Sequence, residues 1–176
     1  MKTKTLFVSV LLAALPLVAA RAAPAPAVPQ RVHVEFFEPK NFTDIGDTYM
    51  ASEKSRNSDL DLIREYLVDT AARYVPQGEM LEITFEDIDL AGDFEPWRGP
   101  QLTDVRIVKE IYPPAMKFSF KLTDAEGNVL KQGKRELRDM NFMMKLTLAS
   151  RNDPFRHEKS MLDDWLSSEF RVAKKT

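Results

Sequence analysis

Alternation of apolar and polar residues predicts β-strands along much of the chain. Three segments alternate with the period of two that a half-buried strand requires. Their inward positions are Val32, Val34 and Phe36; Leu81, Ile83 and Phe85; and Met116, Phe118, Phe120 and Leu122. Another strand is expected around Val105 to Ile111, stopped by Pro113-Pro114, and a last one from Val129 to Leu137 after a turn at 124–128.

Helical spacing of apolar residues occurs twice. The first set predicts a helix from Asp59 to Tyr74, with Ser58 as the N-cap and with Pro76 and Gly78 ending it. Its apolar positions are Leu60, Ile63, Leu67 and Ala71. The second helix is expected to start at Asp153-Pro154, because proline suits the first helical turn. Its inward positions are Leu162, Trp165, Leu166 and Phe170.

The order of these elements is β-α-β-β-β-β-α, which predicts an α+β fold. The economical way to bury both helices is a two-layer sandwich, with the two helices on one face of a mostly antiparallel sheet of about five strands. No internal repeat and no second boundary is visible after residue 31. We therefore expect residues 31–176 to form a single domain.

The N-terminal residues have the three-part pattern of a secretory signal peptide. In the segment Met1–Ala22, Lys2 and Lys4 are followed by the apolar run Leu6–Ala14 and then by small residues suited to cleavage at 20–22. The apolar run is shorter than the roughly 20 residues that a membrane anchor needs. The alternative is a short anchor that is not cleaved.

The composition of the chain indicates the kind of exported protein to expect. An Ala/Pro-rich segment, residues 23–30, reads as an extended spacer before the domain. The chain has no cysteine, so it forms no disulfide and offers no lipid-acceptor cysteine. Its net charge of −2 argues against nucleic-acid binding. We expect a soluble periplasmic or secreted protein with no membrane anchor in its mature form.

The densest polar stretch is the segment 87–99, and it is the candidate binding loop. Its candidate residues are Asp87, Asp89, Asp93, Glu95, Trp97 and Arg98. A calcium loop starting at Asp87 fails, because Ala91 and Arg98 occupy positions that need oxygen ligands. Two interpretations stay open. The acids cap turns while Trp97 covers the core edge, or Trp97 and Arg98 form a recognition surface, since both residue types are enriched in binding hot spots.

No motif in the sequence identifies a catalytic residue, a metal site or a cofactor. His33 and His157 lack the spaced partners of a zinc site, and no serine lies in a nucleophile elbow. None of the glycines forms a phosphate-binding loop. Three methionines lie around Phe142, at positions 140, 143 and 144. We expect them to fill the core rather than to form an adaptable binding surface.

Several of these residues together resemble a known family. The segments on which this resemblance rests are Phe42-Thr43-Asp44, Asp87–Gly92 with Phe94–Arg98, Asp104–Ile107, Leu122-Thr123-Asp124, Asp139–Phe142, and Asp153-Pro154 with Glu158-Lys159 and Met161-Leu162. This pattern resembles the bacterial exported-protein family called domain of unknown function 3016, over nearly the whole mature chain. The resemblance implies a Gram-negative exported protein and assigns no activity or catalytic residue.

The function expected from the sequence is that of a non-enzymatic envelope module that binds a protein or a small ligand. Two alternatives remain. One is a small carboxylate-dependent hydrolase, because 27 acidic residues offer many pairs of carboxylates. The other is a divalent-cation-binding protein.

Overall fold

A computed structural model describes residues 31–145, 150 and 152–170 of the chain. The expected signal peptide and spacer lie outside the described residues. The elements are β1 (Val32–Phe36), α1 (Glu53–Ala71), β2 (Met80–Asp89), β3 (Asp93–Phe94), β4 (Arg106–Ile107), β5 (Ala115–Thr123), β6 (Val129–Arg138) and α2 (Arg156–Phe170). Short 3-10 helices occupy Pro39–Asn41, Pro96–Arg98 and Pro100–Leu102.

The main sheet has four strands in the order β1-β2-β5-β6. β1 pairs with β2 in parallel, with α1 as the crossover between them, and the other two pairings are antiparallel. β3 and β4 form a separate two-stranded ladder. The architecture is therefore the α+β sandwich that the sequence predicts.

The core lies between one face of the sheet and the two helices. The alternating apolar residues of β1, β2 and β5 point into it, and α1 and α2 supply the opposite side. Aromatic rings join the layers: the ring of Phe118 lies 5.2 Å from that of Phe85 and 4.6 Å from that of Trp165 in α2. The opposite sheet face is polar, as in the ion pair of Glu82 with Lys121, so we call it the open face.

Two details differ from the sequence expectation. α1 begins at Glu53 rather than Asp59, because Ser52 is the N-cap and accepts a hydrogen bond from the Ser55 N–H at 3.1 Å. The residues of that first part are polar and exposed or half-buried, so apolar spacing does not reveal them. The strand expected around Val105 is only the two-residue β4, outside the main sheet.

Two further expectations about side chains are wrong. Met140, Met143 and Met144 do not fill the core, since 48–81% of each is exposed. Phe142 takes the buried position among them and packs edge-on against His157 at 4.8 Å. Among the described residues, no helix is long and apolar enough to cross a membrane.

Candidate functional site

The connection between β2 and β5 is the most unusual feature of the topology. These neighbouring antiparallel strands end and begin at the paired residues Asp89 and Ala115, so a short hairpin would join them. The chain instead inserts residues 90–114, which contain β3, β4 and two 3-10 turns. Hairpin loops usually have about two to five residues, and much longer connections are usually functional. We call this insertion the 90–114 lobe.

Arg106 fastens the lobe to the rest of the domain. Both terminal nitrogens of its guanidinium bind the carboxylate of Asp44, with Nη2 to Oδ1 at 3.0 Å. The same group donates to the carbonyl oxygens of Gly92 at 3.2 Å and Gly46 at 3.0 Å, and lies 4.5 Å from the ring centre of Phe94. The fork of arginine suits such multiple bonding, so this one side chain ties the lobe to the carboxylate of Asp44 and to the backbone at Gly46.

Glu95 organises the interior of the lobe. Its side chain is 3% exposed and receives Lys109 Nζ at 2.5 Å, the Tyr112 hydroxyl at 3.0 Å and Arg98 Nε at 2.5 Å. The hydrogen bond from Lys109 and those groups together hold the pKa of Glu95 below its usual value, against the effect of desolvation. A buried charge with this many partners gives the loop after β3 a defined conformation.

Trp97 projects from this organised loop into solvent. It is 71% exposed, so it does not cover the core edge as one interpretation of the sequence expected. Three more large apolar side chains of the same lobe, Val105, Val108 and Ile111, are 38–71% exposed. Arg98 beside Trp97 is half exposed although its Nε is held by Glu95. The lobe therefore presents an aromatic side chain next to a partly free guanidinium.

A row of four residues crosses the open face at the base of the lobe. Asp44 bridges to Asp89, Asp89 pairs with Ala115, and Ala115 pairs with Arg138. Directly paired residues in a sheet point to the same side, so these side chains share one face. Three residues of the row, Asp44, Asp89 and Arg138, line a cavity of about 270 Å³. Its lining residues are Thr43, Asp44, Asp89, Leu90, Gly92, Asp93, Ile111, Tyr112, Pro113 and Arg138.

Electrostatics distinguish Asp89 from the other acids of this cavity. Burial raises its pKa, and the negative charge of Asp44 raises it further, while Arg138 partly opposes both. Asp44 is neutralised by Arg106, and Asp93 Oδ1 accepts a hydrogen bond from the N–H of Phe94 at 2.7 Å. The side chain of Asp89 forms neither a hydrogen bond nor an ion pair within the described part of the chain.

The six candidate residues thus divide among four places. Asp89 and Asp93 line the cavity, Glu95 and Arg98 belong to the network inside the lobe, and Trp97 faces solvent. Asp87 does not lie in a loop: it belongs to β2, and its carboxylate accepts hydrogen bonds from Thr43 N and Oγ1 at 2.7 and 2.9 Å. The four acids therefore do not share one cleft. Among the described residues, no three His, Asp or Glu side chains are placed to hold a metal ion.

Three residues near this site were missed by sequence reasoning. Asp44 and Arg138 are far from the 87–99 segment in sequence and reach the cavity only through strand pairing. Glu158 of α2 is 1% exposed, and its Oε1 accepts a hydrogen bond from Ala91 N at 2.6 Å. A glutamate among apolar helix positions was the available signal, since buried acids are uncommon.

The chain was compared with known sequences and structures. The profile of a family described as "Protein of unknown function (DUF3016)" matches residues 30–168. No curated protein matches the chain.

Two solved structures of PelC dodecamers from Paraburkholderia phytofirmans are similar over most of the chain. A single-residue variant in space group C2 is 14% identical, with 82% of this chain and 88% of that chain covered and a TM-score of 0.38. The dodecamer in space group P6 is 13% identical, with 86% and 96% covered and a TM-score of 0.36. At such TM-scores the similarity carries no inference about function.

Proposed function

Because this chain belongs to the DUF3016 family of proteins of unknown function, we propose its function from its own surface. It is an exported, non-enzymatic envelope module that binds a protein partner through the 90–114 lobe, with Trp97 as the anchor. The observation that carries this proposal is the combination of an exposed Trp97 with an ion pair between its chain neighbour Arg98 and the buried Glu95, which also binds Lys109.

The rigidity of the lobe supports a binding role. An exposed tryptophan on a mobile loop loses conformational entropy when it binds, whereas one on an ordered loop loses less. Glu95, two residues before Trp97, contacts Arg98 directly after it, and it also binds Lys109 and Tyr112 further along the lobe. Arg106 fixes the lobe against Asp44. The anchor is therefore presented in a preorganised position.

The chemistry of the surface suggests what the partner looks like. Tryptophan and arginine are the residue types most enriched in interface hot spots, where the aromatic side chain fills a pocket. The half-exposed Arg98 adds a positive charge beside Trp97. A complementary partner presents an apolar pocket with a carboxylate at its rim.

The proposed location rests on the N-terminal sequence. The pattern of residues 1–22 is that of a cleavable signal peptide, and no cysteine is available for lipid attachment. Mass spectrometry of the protein from the periplasmic fraction tests this. We expect an N-terminus near residues 21–23; an intact leader on membrane-bound protein contradicts it.

Cross-linking in the native host tests the binding role. The wild-type protein is compared with Trp97→Ala and with the control Leu130→Ala, which removes a 52% exposed side chain from β6, outside the lobe. We expect one defined cross-linked protein with the wild type and the control, at strongly reduced yield with Trp97→Ala. Equal yield from all three overturns the proposed surface, and matching thermal melts show that each variant is folded.

A further inference from the structure

We propose that the cavity lined by Asp44, Asp89 and Arg138 binds a small zwitterion, a free α-amino acid with an apolar side chain. Asp89 receives the ammonium group and Arg138 receives the carboxylate. This site goes beyond the proposed protein-binding surface, because neither Trp97 nor Arg98 lines the cavity.

The spacing of the two charges is set by the sheet. Asp89 and Arg138 lie on the two strands that flank β5, each paired with Ala115. Neighbouring strands are about 4.8 Å apart, so the two Cα atoms are separated by roughly 10 Å. The side chain between them is only the methyl group of Ala115, which is buried and does not itself line the cavity. The long side chain of an arginine can span much of this separation, so the pair can bind an ammonium group and a carboxylate group that are attached to one carbon atom, as in an α-amino acid.

Both charged groups are available to a ligand. In the described part of the chain, the side chains of Asp89 and Arg138 form no hydrogen bond and no ion pair, although the charge of Arg138 acts to lower the pKa of Asp89. This contrasts with Asp44, which Arg106 neutralises in the same row. A half-buried carboxylate without a partner destabilises the fold, and an ammonium group bound beside it offsets that cost. Asp89 is therefore the preferred acceptor of a positive charge.

The remaining lining indicates the size and polarity of the ligand. Leu90, Ile111 and Pro113 give the cavity an apolar side, and the backbone at Gly92 approaches it without a side chain. Its volume of about 270 Å³ is at the lower end of known ligand pockets, which start near roughly 300 Å³. An amino acid with an aliphatic side chain satisfies both charges and this apolar side.

Calorimetric titration of the purified protein with leucine tests the site. Leucine amide and N-acetylleucine serve as the two matched probes, because the first lacks the carboxylate charge and the second lacks the ammonium charge. We expect heat of binding with leucine and binding weaker by about tenfold or more with each derivative. No binding of leucine, or equal binding of either derivative, overturns the zwitterion site.

Variants assign the two roles to the two residues. Asp89→Asn is expected to weaken leucine binding by about tenfold or more and to leave the binding of N-acetylleucine unchanged, because that probe has no ammonium group. Arg138→Gln is expected to weaken leucine binding by a similar factor and to leave the binding of leucine amide unchanged, because that probe has no carboxylate. Glu136→Gln is the control, because it removes a charge from β6 two residues before Arg138. Glu136 Oε1 lies 3.6 Å from Lys117 Nζ. Leucine binding that survives both cavity substitutions overturns the assignment. Trp97→Ala should leave leucine binding intact, so this proposal and the protein-binding proposal fail separately.

Discussion

Glu158 Oε1 accepts a hydrogen bond of 2.6 Å from the backbone N–H of Ala91, which joins α2 to the base of the 90–114 lobe. The other carboxylate oxygen, Oε2, is buried without a hydrogen-bond partner in the described part of the chain. Desolvation raises the pKa of Glu158, so the buried side chain favours its neutral form. This contact gives the helix a direct role in placing the lobe.

Replacement of Glu158 separates its charge from its hydrogen bond. A raised pKa means that the folded state binds more protons than the unfolded state, so wild-type stability falls as pH rises above the ordinary value of 4.5. Glu158→Gln keeps an acceptor for Ala91 and removes the charge. We expect it to lose less stability between pH 4.5 and 7 than the wild type does, as measured by urea unfolding.

Glu158→Ala is the comparison variant for the same experiment. It removes the acceptor of the Ala91 N–H as well as the charge, and an unsatisfied buried donor costs about 1–3 kcal/mol. We expect it to be less stable than Glu158→Gln at every pH. Identical pH slopes for the wild type and Glu158→Gln would contradict a raised pKa.

Substitution of Arg106 tests whether one side chain fastens the lobe. Arg106→Lys keeps the positive charge but loses the forked bonding to Asp44 and to the carbonyl oxygens of Gly46 and Gly92. We expect a loss of about 1–3 kcal/mol in the free energy of unfolding. Asp44→Asn and the double variant complete a cycle, and strictly additive losses would show that Arg106 and Asp44 do not act together.

Two glycines with similar backbone angles isolate a steric constraint at the lobe. Gly92 has φ of +84° and Gly127 has φ of +86°. A Cβ at Gly92 would lie 2.9 Å from the carbonyl oxygen of Ile107, whereas one at Gly127 meets nothing within 4 Å. Gly127→Ala should therefore cost about 1 kcal/mol from backbone strain alone, and Gly92→Ala distinctly more. Thermal melts that rank the two variants the other way would be inconsistent with this packing.

Acidification should weaken the ionic network inside the lobe. The pKa of Glu95 is lowered, chiefly by Lys109, so its contribution is present above the unfolded value of 4.5 and is lost as pH falls through the folded pKa. We expect Glu95→Gln to be less stable than the wild type at pH 6, with a difference that shrinks on acidification in urea unfolding. Glu126→Gln, in an exposed turn, is the control and should follow the wild type throughout.

The two tryptophans of the chain report on different environments. Trp97 is 71% exposed and Trp165 is 4% exposed, packed against Phe118 and Phe120. In Trp97→Phe, the remaining fluorescence should be blue-shifted and protected from acrylamide. In Trp165→Phe it should be red-shifted and readily quenched. Strong protection of Trp97 in the isolated protein would mean that this side chain is not free to meet a partner.

The sequence predicted the sandwich well because its signals are local. Alternation in β1, β2 and β5 reflects burial on one face, and that pattern is readable over a few residues. Prediction from the sequence failed where the buried residues do not recur at a regular spacing. The polar first turns of α1 carry no apolar spacing, and the lobe between Asp89 and Ala115 is ordered by ion pairs and short turns.

The candidate site could be predicted only in part, for a related reason. Composition of the segment 87–99 identified Asp89, Asp93 and Trp97, and Glu95 and Arg98 of the network, because each is a polar or aromatic side chain in a dense stretch; it did not identify Lys109 or Tyr112. It could not show that Thr43 donates a hydrogen bond to the carboxylate of Asp87, whereas the carboxylate of Asp89 accepts none within the described residues. Which acid is satisfied depends on the partner that the fold brings to it.

By itself the sequence determined the α+β class, the core residues of the strands and helices, and the expectation of export. Tertiary structure decided that Trp97 faces solvent, that Glu95 is buried, and that Asp89 and Arg138 flank Ala115. The physical reason is the distance along the sequence over which each kind of interaction acts. Periodicity and capping act between residues a few positions apart, whereas strand register and ion pairs join residues that the sequence places far from one another.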